Sequence, residues 1–489
     1  MTLGPLPQIT SKPRSVRYTG VNWYDHRANA IWIGDVTAET RARIVAHELS
    51  HFLIHVSTPY GWLLDEINDL QTRLVSQYCF ETYQRQPHRT ILTPVYEVAV
   101  RLRAQDARVT SLAFADLCER FVRPWSFTRY LENLLEGEDL PEVAAATHRD
   151  ALDALEWAER RSDVQGWPAQ PTAPPFLDAY VAQADRLPAT NFMNWHDGTR
   201  FQFGAKHVFE GAAKQLERIS QLEQADFVGG NRPDYWALWL FAVTRLGAKQ
   251  VQSQRDYERL RDTFFALCDL ALFVPAGRLY GQLRTETTIW ADLQPGWRFT
   301  VAIDEAAKLG WIEDLERDIF SYQDQICSVL GWPSPREFLK IGASQSIDSP
   351  EARRHAQACS IRLKTPIAFI DLDREMNRAD PPIASGEVRT PVGRFFVDHF
   401  PLVYRSDSGE MIVRNMSGGV NEPLHLLIVW FLARFNEWVM LRGTFKYQDL
   451  LPDRVEYGNV FGNVKTLEDF VNIIKTVHPI YTPERFELV

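Results

Sequence analysis

A chain of 489 residues with 45% apolar and 24% charged side chains has the composition of a folded globular protein of roughly two to four domains, and its 15 Trp and 28 Phe supply thick interiors. A formal net charge of −10, with no dense Lys/Arg stripe, argues against nucleic-acid binding and against anionic membrane surfaces. The five cysteines are scattered without a CxxC pair, which excludes a disulfide framework and a Cys-based zinc site and leaves reduced, buried thiols.

The first residues, MTLGPLPQITSKPRSVRY, carry no apolar core of a secretory signal. Asn29 to Gly34, NAIWIG, reads as a short strand. Asp35 or Thr37 can cap the helix that follows, which runs to about Val56 and is stopped by Ser57-Thr58-Pro59 and Gly61. A second helix is expected from Leu63, Ile67, Leu70, Leu74 and Tyr78. Helical patterns continue to about residue 165, and Gly166 to Pro175, GWPAQPTAPP, is the clearest linker. Residues 176–345 again read as mostly helical, with an apolar stripe of Val208, Phe209, Ala212, Leu216 and Ile219. Strands are expected at Pro366–Asp371 and within Arg394–Arg414, with Ser406 to Gly409 as a hairpin turn. Leu424 to Met440 is strongly apolar, but Arg434, Asn436 and Glu437 interrupt it, so it reads as a buried helix and not a membrane span. The expectation is a cytoplasmic, mainly α member of the α+β class with three regions: 1–165, 176–345 and 346–489.

The helix before Ser57 carries His47-Glu48-Leu49-Ser50-His51. Residues four apart share one helix face, so both imidazoles can reach one cation, and neutral imidazole is a good zinc ligand. Glu48 then lies beside the metal, placed to take a proton from a zinc-activated water. The other face is apolar through Ile44, Val45, Leu49, Phe52 and Leu53. His55 continues the stripe, but an unbroken helix carries it a further turn away, which favours a supporting role.

A catalytic zinc usually takes three protein ligands. Two acidic residues are candidates for the third. Glu210 lies on a helical stretch opposite the apolar stripe, beside the small residues Gly211 and Ala212 that would admit a close neighbour. Glu66 lies on the helix after the motif. For stabilising an oxyanion, His207, Tyr60 and His196 are candidates without a spacing rule to choose among them. His355, His399, His425 and His478 carry no ligand spacing.

Ala46 to Phe52 resembles the motif helix of gluzincin metallopeptidases, in which a Glu on a later helix completes the site, often as E-G-x-A-x-x-x-E. Glu210-Gly211-Ala212-Ala213-Lys214-Gln215-Leu216-Glu217 matches that pattern residue for residue, so the resemblance implies His47, His51 and Glu210 as zinc ligands and Glu48 as general base. It also implies a zincin-like core carrying a large helical insertion and acting on a peptide or protein substrate, and the strand patterns of 346–489 add a C-terminal α+β region. AHELSHFLIH, Ala46 to His55, is also similar to ImmA/IrrE-type peptidases, whose ligand Glu sits in an E-A-N pattern that Glu66-Ile67-Asn68 partly copies. That second likeness implies an alternative function, a regulatory or interaction protein that uses the site on one specific partner or keeps it for structure. Ser50 stands where both families have Gly.

Overall fold

Ala30-Ile31-Trp32-Ile33 is apolar at every position, a pattern that suits a strand covered on both faces. In the computed structural model it is β2 (Ala30–Ile33), and all four side chains are buried. The structure describes residues 23–34, 38–69, 192–194, 200–217, 233–247, 251–285, 290–346, 349–364, 401–405, 410–413 and 428–436 apart from single gaps, strands at 90–92, 454–457 and 486–488, and a few isolated positions. The chain divides into two compact units. One holds Met1–Pro7, Leu53–Leu63 and Trp125–Gly393, and the other Gln8–Phe52, Leu64–Pro124 and Arg394–Val489.

The second unit is built on a five-stranded mixed sheet. Its members are β1 (Trp23–Asp25), β2, β6 (Leu402–Arg405), β7 (Glu410–Val413) and β8 (Arg454–Tyr457), in the order β1-β2-β6-β7-β8. Strand β1 runs antiparallel to β2, and β2 runs parallel to β6 with Ile31 opposite Val403. The four residues joining β1 to β2 end at Asn29, whose φ of 46° is left-handed backbone that Asn tolerates better than most residues. The expected pair within 394–414 forms as β6 and β7, antiparallel, with Arg405 opposite Glu410. The proposed turn between them, like the strand at Pro366–Asp371 and the caps Asp35 and Thr37, lies outside the described residues. Strand β3 (Thr90–Leu92) pairs in parallel with β9 (Phe486–Leu488). Helical residues 428–436 bury Trp430, Phe431 and Phe435, as the sequence led us to expect, and the Arg434 guanidinium lies over the Trp32 ring at 5.4 Å. Among the described residues no helix is long and apolar enough to cross a membrane.

The first unit is helical, so helices predominate among the described residues. Helix α2 (Ala205–Glu217) packs with α3 (Pro233–Arg245) and α4 (Gln254–Ala271). They are followed by α5 (Pro295–Leu309), α6 (Leu315–Leu330), α7 (Pro335–Ala343) and α8 (Pro350–Lys364). Phe264 of α4 is the aromatic hub, edge-on to Trp239 at 5.1 Å and to Phe299 at 5.7 Å. Burying such a ring contributes about 1.5–3 kcal/mol each. Helix starts follow local chemistry: Ser253 caps α4, and Ser334 with Glu337 forms a capping box on α7. One departure from the helical reading of 176–345 is an antiparallel pair, β4 (Phe192–Asn194) and β5 (Arg200–Gln202). Three-residue strands are too short to show a period of two, so pairing and not pattern defines them.

Cys268, Cys327 and Cys359 are free and buried, as the spacing implied; Cys79 and Cys118 lie outside the described residues. Burial pushes the Cys327 and Cys359 thiols up to about 12 and raises Cys268 well above its ordinary value. Since the thiolate is the nucleophile, these three should stay unmodified by iodoacetamide in the folded protein at mildly alkaline pH and react fully in denaturant. Peptide mapping by mass spectrometry reads the outcome.

Candidate metal centre

Helix α1 (Ala38–Ser57) ends within a residue of the position read from sequence. Its apolar positions set its rotation. Phe52 meets the Tyr24 ring edge-on at 5.9 Å and stacks on Phe395 at 6.2 Å, and Leu49 and Leu53 are buried. That orientation carries His47, Glu48 and His51 together, and all three are buried. Ser50, where the resembling families have Gly, donates its hydroxyl to the His47 carbonyl at 2.6 Å, so its polar atom is satisfied inside the helix.

The imidazoles of His47 and His51 stand nearly perpendicular, 84° between planes, with their Nε2 atoms 3.1 Å apart. Two nitrogens that each sit about 2.0–2.1 Å from one zinc at a near-tetrahedral angle would be about 3.3 Å apart, so the pair has the spacing of two ligands of one ion. Glu210, half-buried on α2, completes the group: one ligand atom from each of His47, His51 and Glu210 lies within 4.8 Å of the others. Two neutral imidazole nitrogens and a carboxylate oxygen are donors that zinc accepts.

The other candidates are placed differently. Glu66 is half-buried in helical residues 59–66 and stands outside that group; its neighbour Asn68 donates to the Arg27 carbonyl at 3.3 Å. His55 is buried, also outside the group. Tyr60 is buried with its ring 5.6 Å from Phe209 and its backbone N–H on the Leu272 carbonyl. His207 is buried at the start of α2, and His196 lies outside the described residues.

Helix α2 sits where small residues allow it. A Cβ on Gly211 would stand 3.4 Å from the Phe264 ring and 3.7 Å from Leu238, so α2 lies close against α3 and α4 at the turn that bears Glu210. Val208, Ala212, Ala213 and Leu216 fill the buried side. The backbone entering α2 is held by α5: Gln294 donates its amide to the Phe203 carbonyl at 2.7 Å, and a Cβ on Gly296 would fall 2.0 Å from that same oxygen.

Sequence reading missed the residues that hold the far end of α1. The last carbonyls of a helix lack intrahelical donors. His355 Nδ1–H donates to the Val56 carbonyl at 2.9 Å, and Arg362 Nη1 donates to the Ser57 carbonyl at 3.1 Å. Because Nδ1 carries the hydrogen, His355 Nε2 accepts from the Tyr280 hydroxyl, and Trp62 stacks on the ring at 4.8 Å. Arg362 in turn pairs with Asp269 at 2.6 Å, both fully buried, and Gln323 donates to the same carboxylate at 3.0 Å. A guanidinium at a helix C-terminus also complements the negative end of the dipole. Thr58 caps the Ile54 carbonyl, and Gly61 is required because a Cβ there would lie 1.7 Å from the His55 carbonyl oxygen. Cys359 Sγ lies 3.6 Å from His355 Nε2, and no signal in the sequence marked either His355 or Arg362.

Comparison with family models, with curated proteins and with solved structures gives no match to this chain. The functional reading therefore stands on the geometry.

Two outcomes are expected. Purified protein equilibrated with zinc and desalted should retain about one equivalent, and His51→Ala or Glu210→Ala should weaken zinc affinity by more than the roughly 10–100-fold that outer-sphere changes cost. Competition with a chromophoric chelator measures this. Separately, Asp269→Asn leaves the Arg362 charge buried without its counter-ion and should cost about 3–5 kcal/mol in chemical denaturation.

Proposed function

We propose that this protein is a zinc-dependent hydrolase of the metallopeptidase kind, with a zincin-like core of the gluzincin type. The observation that carries the proposal is the convergence of His47, His51 and Glu210, with the buried Glu48 next to His47 on the same helix. A metal group alone would suit a structural site. A buried acid beside three ligands, which leave a fourth position open, is what a hydrolytic site needs.

A zinc ion held by these three residues would supply Lewis-acid activation of water and of a substrate carbonyl at neutral pH. Glu48 accepts the proton of the attacking water as its oxygen adds to the carbonyl carbon. It then delivers that proton to the departing nitrogen as the C–N bond breaks, acting first as base and then as acid. The rotation of α1, set by Phe52 and its aromatic neighbours, keeps Glu48 buried next to His47 on the helix through both transfers. His47 and His51 would serve as two of the ion's ligands.

Glu48→Gln should lower hydrolysis of a peptide pool by about 10²–10⁴-fold while the zinc content stays at that of the unaltered protein. Mass spectrometry of the digested pool, with metal analysis of the same samples, is the measurement. Zinc bound at full occupancy with no cleavage by the unaltered protein would overturn the peptidase reading.

A further inference from the structure

Stability does not account for the Arg362–Asp269 pair. Both side chains are only 1% exposed, and the Arg362 Nε–H has no acceptor. Apolar residues of similar size in place of such a pair are often neutral or stabilising. We propose that Arg362 is a positioning residue of the metal centre: through Asp269 it sets where the histidine-bearing helix α1 lies along its own axis relative to Glu210. The proposal rests on the metal group of His47, His51 and Glu210 and adds no ligand to it.

Helix α4 is the common reference. Near its C-terminal end Asp269 Oδ1 accepts from Arg362 Nη2 at 2.6 Å, while Arg362 Nη1 donates at 3.1 Å to the Ser57 carbonyl, the last of α1. Five residues before Asp269, the same helix carries Phe264, against which Gly211 seats α2 at the turn that bears Glu210. One helix thus holds both the end of α1 and the helix of the acidic ligand. Asp269 is itself fixed: Gln323 Nε2 donates to its Oδ2 and to the Ala266 carbonyl, each at 3.0 Å. The guanidinium also lies over the Phe273 ring at 5.1 Å. A second link runs alongside. Just past α1 the Tyr60 backbone N–H donates to the Leu272 carbonyl at the end of α4, and the Tyr60 ring packs 5.6 Å from Phe209, the residue before Glu210.

A three-ligand site of this make-up requires such a device. His47 and His51 share one helix, so their spacing does not depend on where α1 lies. Their distance to Glu210 does. A slip of one residue along the axis moves both rings by about 1.5 Å, whereas metal–ligand bonds tolerate about 0.2 Å. Apolar packing around Phe52 resists sliding weakly. A planar guanidinium hydrogen-bonded on two nitrogens resists it strongly. His51 stands six residues before Ser57, about 9 Å of continuous helix, so the place of the helix end is passed to the imidazole.

Zinc affinity of the full-length protein, measured by chelator competition, tests this in a double-mutant cycle with Glu210→Ala. Replacing the pair by apolar residues, Arg362→Met together with Asp269→Leu, should leave the urea midpoint near that of the unaltered protein and weaken zinc binding by about 10–100-fold. In the Glu210→Ala background the same replacement should weaken binding by no more than about twofold further, because the ligand whose distance it sets is already gone. A purely structural role would lower affinity equally in both backgrounds. Equal losses, or full zinc affinity in the pair variant, overturn the proposal. If the pair variant does not fold, Arg362→Lys takes its place: it keeps a cation against Asp269 but substitutes a single ammonium for the planar fork, and the same dependence on Glu210 decides. Unaltered protein that retains no zinc defeats the metal group and this proposal with it; tight zinc binding with equal losses in both backgrounds defeats this proposal alone.

Discussion

Two imidazole nitrogens 3.1 Å apart in a buried setting, with a carboxylate oxygen nearby, are costly to maintain as hydrogen-bonding groups and inexpensive to maintain as ligands. A pair of neutral rings can share at most one hydrogen between the facing nitrogens, and a carboxylate beside them brings desolvation of its charge. A divalent cation held by the three residues would meet both demands at once by supplying positive charge to their lone pairs. The other features around the motif helix serve that arrangement: apolar packing sets its rotation, Ser50 bonds within the helix, and polar partners support its last turn.

Helix α1 is held by different means along its length. Around Phe52 the grip is apolar and aromatic, which sets rotation but tolerates sliding along the axis. At its final carbonyls the grip is polar and directional, through His355 on Val56 and Arg362 on Ser57. A hydrogen bond to a helix-end carbonyl resists axial movement, and each of these donors is itself tied down, one by Tyr280 and the other by Asp269. The Arg362–Asp269 pair is a poor source of net stability because both charges are desolvated, so its use here is better understood as registration of the helix end. Helix α2 is seated by equivalent devices, with Gly211 letting it approach α3 and α4 and Gln294 with Gly296 gripping the strand-like lead-in at Phe203.

Much of the candidate site was legible in the chain because its signals are local. The four-residue spacing of His47 and His51, the apolar face of the same helix and the Val208–Leu216 stripe are all properties of a 3.6-residue period, which backbone geometry imposes before any tertiary contact forms. The buried β2 strand and the helix at 428–436 were legible from local apolar runs rather than from a period. The β4–β5 pair was not, since three residues hold no readable period. His355 and Arg362 were also silent, because nothing near them in sequence reveals that their partners are carbonyls about 300 residues earlier.

Glu66 and Glu210 mark the division most clearly. Both are acids on helices, one about 15 and the other about 160 residues past His51, and helical periodicity by itself does not choose between them. Helical periodicity and side-chain type were enough to specify two imidazoles and an adjacent acid on one surface of α1. The resemblance of residues 210–217 to the E-G-x-A-x-x-x-E pattern favoured Glu210, but its arrival beside the imidazoles depends on the path of the intervening chain and on close packing at Gly211, which are long-range matters. The same holds for the sheet, whose β2–β6 pairing joins strands more than 350 residues apart, because backbone hydrogen bonds carry no residue-specific address and only the folded topology selects the partner.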